Sequence, residues 1–294
     1  MNNQAPDLLA SYFTLAGDIY PFGPTEISPI PFRDRVEAAA KAGWKGVGLI
    51  HADVKATAEK IGYAEMRKIV EGAGIKHLEI EFLGDWYKDG AARAASDEMR
   101  RELFQMAEEL KIRDIKIAPG LGSDLYNPTE EEMTPDVPRM AEAFAQLSRE
   151  AAEHGTGIAL EIMPFSNVRT LEIALAIVEQ ADQPNCGLLI DIWHMARGGI
   201  SYEDLAKIPS KHVSSIELDD ADQEVVGQLW EDTIYRRKLP GEGVLNPPAF
   251  IDAVRKIGYQ GPWGVEILSE TLRRLPIEEM AKRAYDATAA QFRI

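Results

Sequence analysis

Residues 186–194 read Cys186-Gly187-Leu188-Leu189-Ile190-Asp191-Ile192-Trp193-His194. Four apolar side chains between Leu188 and Ile192 are interrupted by one carboxylate, and an imidazole follows three positions after it. This is the pattern of a parallel strand buried on both faces that delivers polar groups at its C-terminal end. A buried carboxylate without a partner is costly, so Asp191 calls for a cation, a proton or a hydrogen-bond network. The alternative is that Asp191 caps the turn that follows. The other strands have to decide between the two.

Outward from this stretch, short apolar runs alternate with helical periodicity. Upstream, strands are predicted over residues 8–15, 46–50, 75–82, 114–118 and 157–162, and helices over 32–42, 52–73, 96–110, 138–154 and 170–181. Gly43 and Gly74 stand where helices stop, and Gly62 is expected to break the second helix. Downstream come a short helix over 202–207, a strand over 213–218, a helix over 248–257, a strand over 263–268 and a last helix over 277–292. Residues 17–31 form a Pro/Gly-rich loop, and 119–134, rich in Gly, Pro, Asn and Asp, are a candidate lid or mouth loop. Eight strands alternating with eight helices imply parallel strands joined by right-handed crossovers, which close into a single-domain (β/α)8 TIM barrel over residues 1–294. A doubly wound sheet is the runner-up. It usually stops at five or six strands and needs a Gly-rich turn after its first strand to bind a nucleotide, where this chain offers only Gly17 and Gly23. The sequence also lacks a Walker-type loop, a Cys/His zinc cluster and a Gly-x-Ser-x-Gly elbow.

Composition narrows the partners. With 48 Asp and Glu against 32 Lys and Arg, the net charge is −16, which argues against nucleic acid because no basic patch is concentrated enough to release counterions. The lone Cys186 lies inside an apolar strand, excludes an intramolecular disulfide and fits a reducing compartment. No window reaches the length of a membrane span, and the first residues carry Asp7 and no basic stretch, so a cytoplasmic protein without membrane contact is expected.

In this fold the active site lies at the C-terminal ends of the strands. The polar residues there are His51 after the second strand, Glu81 near the end of the third, Glu161 on the fifth, Asp191 and His194 at the sixth, Glu217 on the seventh and Glu266 on the eighth. Four carboxylates on four consecutive strands converge on one point, and they cannot all stay ionised without a cation. A divalent metal resolves the conflict, and oxygen-only ligation favours Mn²⁺ or Mg²⁺ over Zn²⁺. Each residue also has a plainer reading: Glu161 paired with a lysine such as Lys116, Glu217 as a solvated edge group, Glu266 paired with Arg236 or Arg237. His77, His154 and His212 fall on the wrong rim and are assigned no chemistry.

At these residues the chain resembles the xylose isomerase-like TIM-barrel superfamily of sugar isomerases, ketose 3-epimerases, inosose dehydratases and endonuclease IV-like proteins. The likeness rests on Glu161 in ALEIMPF, on Asp191-Ile192-Trp193-His194, and on Pro240-Gly241-Glu242-Gly243 followed by PPAFIDAVRKIGYQGPWGVEIL, which contains Glu266. The resemblance implies that Glu161, Asp191 and Glu266 hold one divalent ion. Where the family usually shows His-x-x-Asp on the seventh strand, this chain has Glu217-Leu218-Asp219-Asp220, so Glu217 stands in for the histidine as fourth ligand and Asp220 matches the trailing aspartate. That exchange hardens the site towards Mn²⁺ or Mg²⁺ and speaks against a zinc-dependent endonuclease.

The resemblance further implies a metal-dependent isomerase or epimerase of a ketose-like carbohydrate, with Glu161 and Glu266 as the acid/base pair. His194 and Arg237 (or Arg236) would bind substrate oxygens, His51 and Glu81 would line the floor or entrance, and Trp86 and Trp193 offer faces for a sugar ring. Two rivals stand beside it: a lyase or dehydratase that shares the proton abstraction but ends in β-elimination on a keto-sugar or keto-inositol, and a non-catalytic sugar- or protein-binding barrel. Arg236, Arg237 and Lys238 leave a phosphorylated substrate open. The segment 219–239 reads as a loop long enough to touch a neighbouring subunit, which leaves homo-oligomerisation open.

Overall fold

The computed structural model describes residues 6–292. Its element order is β1 (Leu8–Ala10), α1 (Phe32–Ala42), β2 (Gly46–Ile50), α2 (His51–Gly72), β3 (His77–Leu83), α3 (Gly90–Leu110), β4 (Asp114–Ile117), α4 (Val137–Glu153) and β5 (Gly157–Glu161). There follow α5 (Leu171–Ala181), β6 (Cys186–Asp191), α6 (Ile192–Arg197), α7 (Tyr202–Leu205), β7 (Val213–Leu218), α8 (Leu229–Arg236), α9 (Pro247–Ile257), β8 (Trp263–Val265) and α10 (Ile277–Gln291). All eight strands pair in parallel in sequence order, and β8 pairs with β1, so the sheet closes into the predicted single-domain (β/α)8 barrel. The first five and last two residues of the predicted domain lie outside the described residues. Among the described residues no helix is long and apolar enough to cross a membrane.

The local rules explain most boundaries. Gly43, at φ +117°, ends α1, and Gly62, at φ +76°, kinks α2. The departures have causes. β1 is three residues long because the chain leaves it at Ser11 for a 3₁₀ turn over Tyr12–Thr14. α3 starts at Gly90, six residues before the periodic stripe, because its first turns, Gly-Ala-Ala-Arg-Ala-Ala, are helical through alanine propensity rather than through a buried face. α8 lies inside the stretch read as loop, with Gln228 and Glu231 forming a reciprocal cap at its start. β8 ends at Val265, which leaves Glu266 just past the strand.

The helices pack their apolar stripes on the outside of the sheet, and Trp44 of the α1–β2 turn closes the ring by donating its indole N–H to Ala281 O of α10 at 3.0 Å. The lumen is unusual. Ser215 of β7 donates to Glu79 of β3 at 3.0 Å, and Lys116 of β4 reaches Glu217 of β7 at 2.5 Å. These strands are not sheet neighbours, so the contacts span the barrel interior, where branched aliphatic side chains commonly stand. Gly264 makes room for them: a Cβ there would come within 3.0 Å of Glu217 Cγ.

Candidate metal and catalytic site

The strand ends bring the four predicted carboxylates together. One oxygen from each of Glu161, Asp191, Glu217 and Glu266 can be chosen so that all lie within 4.8 Å of one another. Oxygens around an octahedral Mg²⁺ at about 2.1 Å stand up to about 4.2 Å apart, so this donor set fits a hard divalent ion with small adjustments. Asp191, Glu217 and Glu266 are buried, and Glu161 is partly open to the cavity above.

Two cations already sit in this cluster. Arg237, following α8, is 1% exposed and directs Nη1 to Asp191 Oδ2 at 2.8 Å, Asp219 Oδ2 at 2.7 Å and Glu266 Oε2 at 3.1 Å. Its Nε and Nη2 donate to Thr233 Oγ1, so all three guanidinium nitrogens have protein partners. Arg237 therefore braces the acids, and it also lines the cavity above them. Glu266 pairs with Arg237 and not with Arg236. On the other side, Lys116 Nζ and Ser11 Oγ both donate to Glu217 Oε1 at 2.5 Å. Lys116 thus serves Glu217 instead of Glu161, and Glu217, at 1% exposure, is no solvated edge group.

Both readings of Asp191 hold at once. Its Oδ1 accepts the His194 N–H and caps α6, while its Oδ2 accepts from Arg237. His194 is thereby fixed in the cavity wall with Nε2 3.0 Å from Glu161 Oε1 and 3.3 Å from Arg237 Nη2, and in its Nε2–H tautomer it would donate to that carboxylate. Asp220, the trailing aspartate, accepts backbone N–H bonds from Ala221, Gly241 and Leu245 at 2.9 Å. It clamps the Pro-Gly-Glu-Gly turn and so holds the segment that carries Arg237.

Acids outnumber cations in the mouth, and the protonation equilibria reflect it. Burial, reinforced by Glu217 and Glu161, pushes Glu81 up to about 8 even though Lys116 opposes the shift. Burial raises Glu217 as well, and raises Glu266 and Asp219 well above the usual carboxylate range. Lys116 and Arg237 are both held more firmly charged: burial disfavours their cations, and the surrounding carboxylates outweigh it. Asp219 Oδ1 and His194 Nδ1 are buried polar atoms with no hydrogen-bond partner. A group that leaves such atoms open is a candidate for function.

A small cavity of 60 Å³ lies over the cluster, lined by Glu81, Glu161, His194, Arg237 and Glu266 and roofed by Phe22, Phe82, Phe165 and Trp230. The roof rings pack on one another at centroid distances of 5.5–5.8 Å. Trp86 and Trp193, each readable as a sugar platform or as core, are both buried in the core, with the Trp86 indole N–H bonded to Ala118 O. His51 lies apart from the acids: it opens α2, pairs with Glu102 at 2.5 Å, and borders an outer cleft that Glu81 also lines. His77 and His154 pair with Asp7 and Glu108 away from the mouth. Sequence reasoning missed Asp219, Ser11 and the roof. One signal for Lys116 was available, since Asp114 and Lys116 alternate on one face of a four-residue buried strand.

With this geometry in hand, comparison with known proteins is decisive for the family. The xylose isomerase-like TIM barrel family model matches residues 36–291. The chain belongs to that family. An inosose isomerase of Bacillus velezensis is 31% identical over 152 residues, 51% of this chain and 53% of that protein. A 3-dehydroshikimate dehydratase of Pseudomonas aeruginosa is 25% identical over 249 residues, 83% of this chain and 37% of that one. The chain thus matches about half the length of the inosose isomerase. Among family folds, the crystal structure of the IOLI protein with a bound zinc atom superposes with a TM-score of 0.83 at 20% identity, covering 97% of this chain and 98% of that one. D-psicose 3-epimerase, solved in the presence of D-fructose, gives 0.73 at 17%, covering 96% and 97%. At those identities the likeness speaks for the fold alone.

Proposed function

We propose that this protein is a divalent-metal-dependent isomerase or epimerase of a ketose-like carbohydrate, cytoplasmic and using Mn²⁺ or Mg²⁺. The observation that carries the reading is the convergence of four carboxylate oxygens within 4.8 Å in a buried mouth where, among the described residues, Lys116 and Arg237 are the lysine and arginine paired with them. Glu161, Asp191 and Glu266 would hold the ion, with Glu217 contributing the oxygen that Lys116 and Ser11 leave free. Such an ion polarises a carbonyl and acidifies the neighbouring C–H.

The chain's own residues do the rest. Glu161, oriented by His194 Nε2–H, takes the proton from the carbon beside the carbonyl. Glu266, on the other wall of the cavity, would return one to the opposite face. β5 and β8 are three strands apart in the barrel, which suits attack on opposite faces of one carbon. The aromatic roof keeps bulk water from the exchanging proton.

Elimination is the second reading. It is supported by the dehydratase match, which spans 83% of this chain against 51% for the inosose isomerase. Both are tested by incubating the Mn²⁺-loaded protein with ketoses and keto-sugars in D₂O and following the carbons by NMR. Deuterium beside the carbonyl with an epimer or aldose supports the first reading, and an enone with loss of water the second. Absence of exchange across the panel, with and without Mn²⁺, would sink both.

A further inference from the structure

The 60 Å³ cavity over the carboxylates is too small, as it stands, for the carbohydrate proposed to react there. A cavity of about 150 Å³ takes one benzene, and a sugar ring with its hydroxyls is larger than that. The room has to come from lining side chains that can leave. Most of them are held. Phe13, His194, Thr233, Ile234, Arg237 and Leu268 are buried in the wall, and Phe165 packs on Trp193, His194 and Trp230. Phe22 differs: of the described residues that line the cavity it is the most exposed, at 55%.

The tip of the β1–α1 loop, residues 21–25, reads Pro-Phe-Gly-Pro-Thr, and each proline fixes its own φ. Among the described residues, the hydrogen bonds of this tip all stay inside the loop. Gly23 N–H donates to Tyr20 O at 3.0 Å, Phe22 N–H to Glu26 Oε1 at 3.0 Å, and Ile27 N–H to Thr25 Oγ1 at 3.1 Å. The flanks, by contrast, are tied to the barrel. Asp18 pairs with Arg273 at 2.8 Å and Arg274 at 3.2 Å, the Tyr20 ring lies 4.7 Å from the Arg273 guanidinium, and Tyr12 O–H donates to Glu26 O at 2.7 Å. A self-contained tip between pinned flanks can turn as one body without breaking a hydrogen bond to another element. Its aromatic contacts outside the loop are those of the Phe22 ring, 5.6 Å from Phe82 and 5.5 Å from Trp230 between centroids. Phe22 also holds φ +55°, a left-handed conformation that is costly for a bulky residue, so these contacts hold the tip against its own backbone preference.

We infer that residues 21–25 are a flap that lifts to admit substrate, with the Phe22 ring as its latch, and that the roof in this structure is the closed state. This rests on the proposed carbohydrate reading, which sets the size of the occupant. Lifting takes Pro21 and Phe22 out of the cavity wall together, while the carboxylates and Arg237 stay where the barrel holds them. Closing returns the ring over the bound sugar and keeps bulk water from the proton in transit.

The motion is tested without metal or substrate. In protein labelled with 4-fluorophenylalanine, the Phe22 resonance is assigned by its loss in Phe22→Leu and followed by ¹⁹F relaxation dispersion. Exchange on the microsecond to millisecond timescale is expected at Phe22 and not at Phe144, which is fully buried in the core. A flat profile at Phe22 would overturn the flap. A second arm reads the latch with Mn²⁺ and a ketose in D₂O, as the deuterium found in unreacted ketose per epimer formed. With the roof closed, the abstracted proton returns to its carbon before it meets solvent, so Phe22→Ala should raise this ratio by about threefold or more. An unchanged ratio would overturn the latch. Dispersion at Phe22 with no exchange from any ketose would uphold the flap and count against the proposed reaction, so the two failures are separable.

Discussion

The barrel interior holds two polar clusters one above the other, and they are balanced differently. In the floor, Glu79 and Asp114 share Arg113 at 3.0 and 2.5 Å, Ser215 donates to Glu79, and Lys116 stands 3.5 Å from Glu79. Two acids there meet one cation of their own and a second that they share with the mouth. In the mouth, among the described residues, Glu81, Glu161, Asp191, Glu217, Asp219 and Glu266 meet Arg237 and the shared Lys116, with His194 beside Glu161. The mouth thus carries more acids per cation than the floor, an imbalance that the proposed divalent ion would relieve.

The sharpest way to break this contrast is to neutralise one acid at each level. Glu266→Gln should lower D₂O exchange by about 10³-fold, in the range for losing a general acid/base, whereas Glu79→Gln should cost less than tenfold in the same NMR assay. Comparable losses would mean that the floor takes part in the chemistry.

Next in size is the loss of a buried cation. Arg237→Met leaves Asp191 and Asp219 without their partner and should lower stability by about 3–5 kcal/mol in urea unfolding without metal, with Mn²⁺ restoring a large part of it. Arg113→Met, at a residue whose side chain is 30% exposed, should cost less and gain nothing from Mn²⁺.

Lys116 joins the two clusters, so its removal reports on both. Lys116→Met frees Glu217 Oε1 and should tighten Mn²⁺ binding at least tenfold by calorimetry, while the metal-free protein loses about 3 kcal/mol. Unchanged affinity would place Glu217 outside the ion's reach.

The pH dependence reads both levels together. Glu81 and Asp114 titrate near 8 and 7 in the fold, above the ordinary value of about 4, so the folded state prefers their protonated forms. Their contribution to stability is complete below about pH 4 and is lost as pH rises through about 7 and 8. Metal-free protein should therefore show a falling urea midpoint from pH 5 to 8. Mn²⁺ should remove the share that comes from the mouth, and Asp114→Asn the share that remains. A slope that Mn²⁺ leaves untouched would mean that the mouth is balanced without it.

The architecture was legible in the sequence because it depends on local, repeated signals. Apolar runs of strand length, helical stripes ended by Gly43 and Gly74, and crossover lengths leave the closed barrel as the economical solution, and β2, β7 and α1 fall on their predicted residues. The carboxylates at the strand ends were legible for the same reason, since a charge within a buried run stands out at any distance from its partners. What tertiary structure decided was pairing. Nothing local says that Lys116 chooses Glu217 over Glu161, or that Arg237, just past a helix in a stretch read as loop, reaches Asp191, Asp219 and Glu266 together. Nor does a tryptophan declare whether it will line a cavity, as Trp230 does, or fill the core, as Trp193 does. A side chain's type depends on the chain alone, but the neighbour that neutralises or covers it is set by strands and loops far apart in sequence, which only barrel closure brings within hydrogen-bond reach.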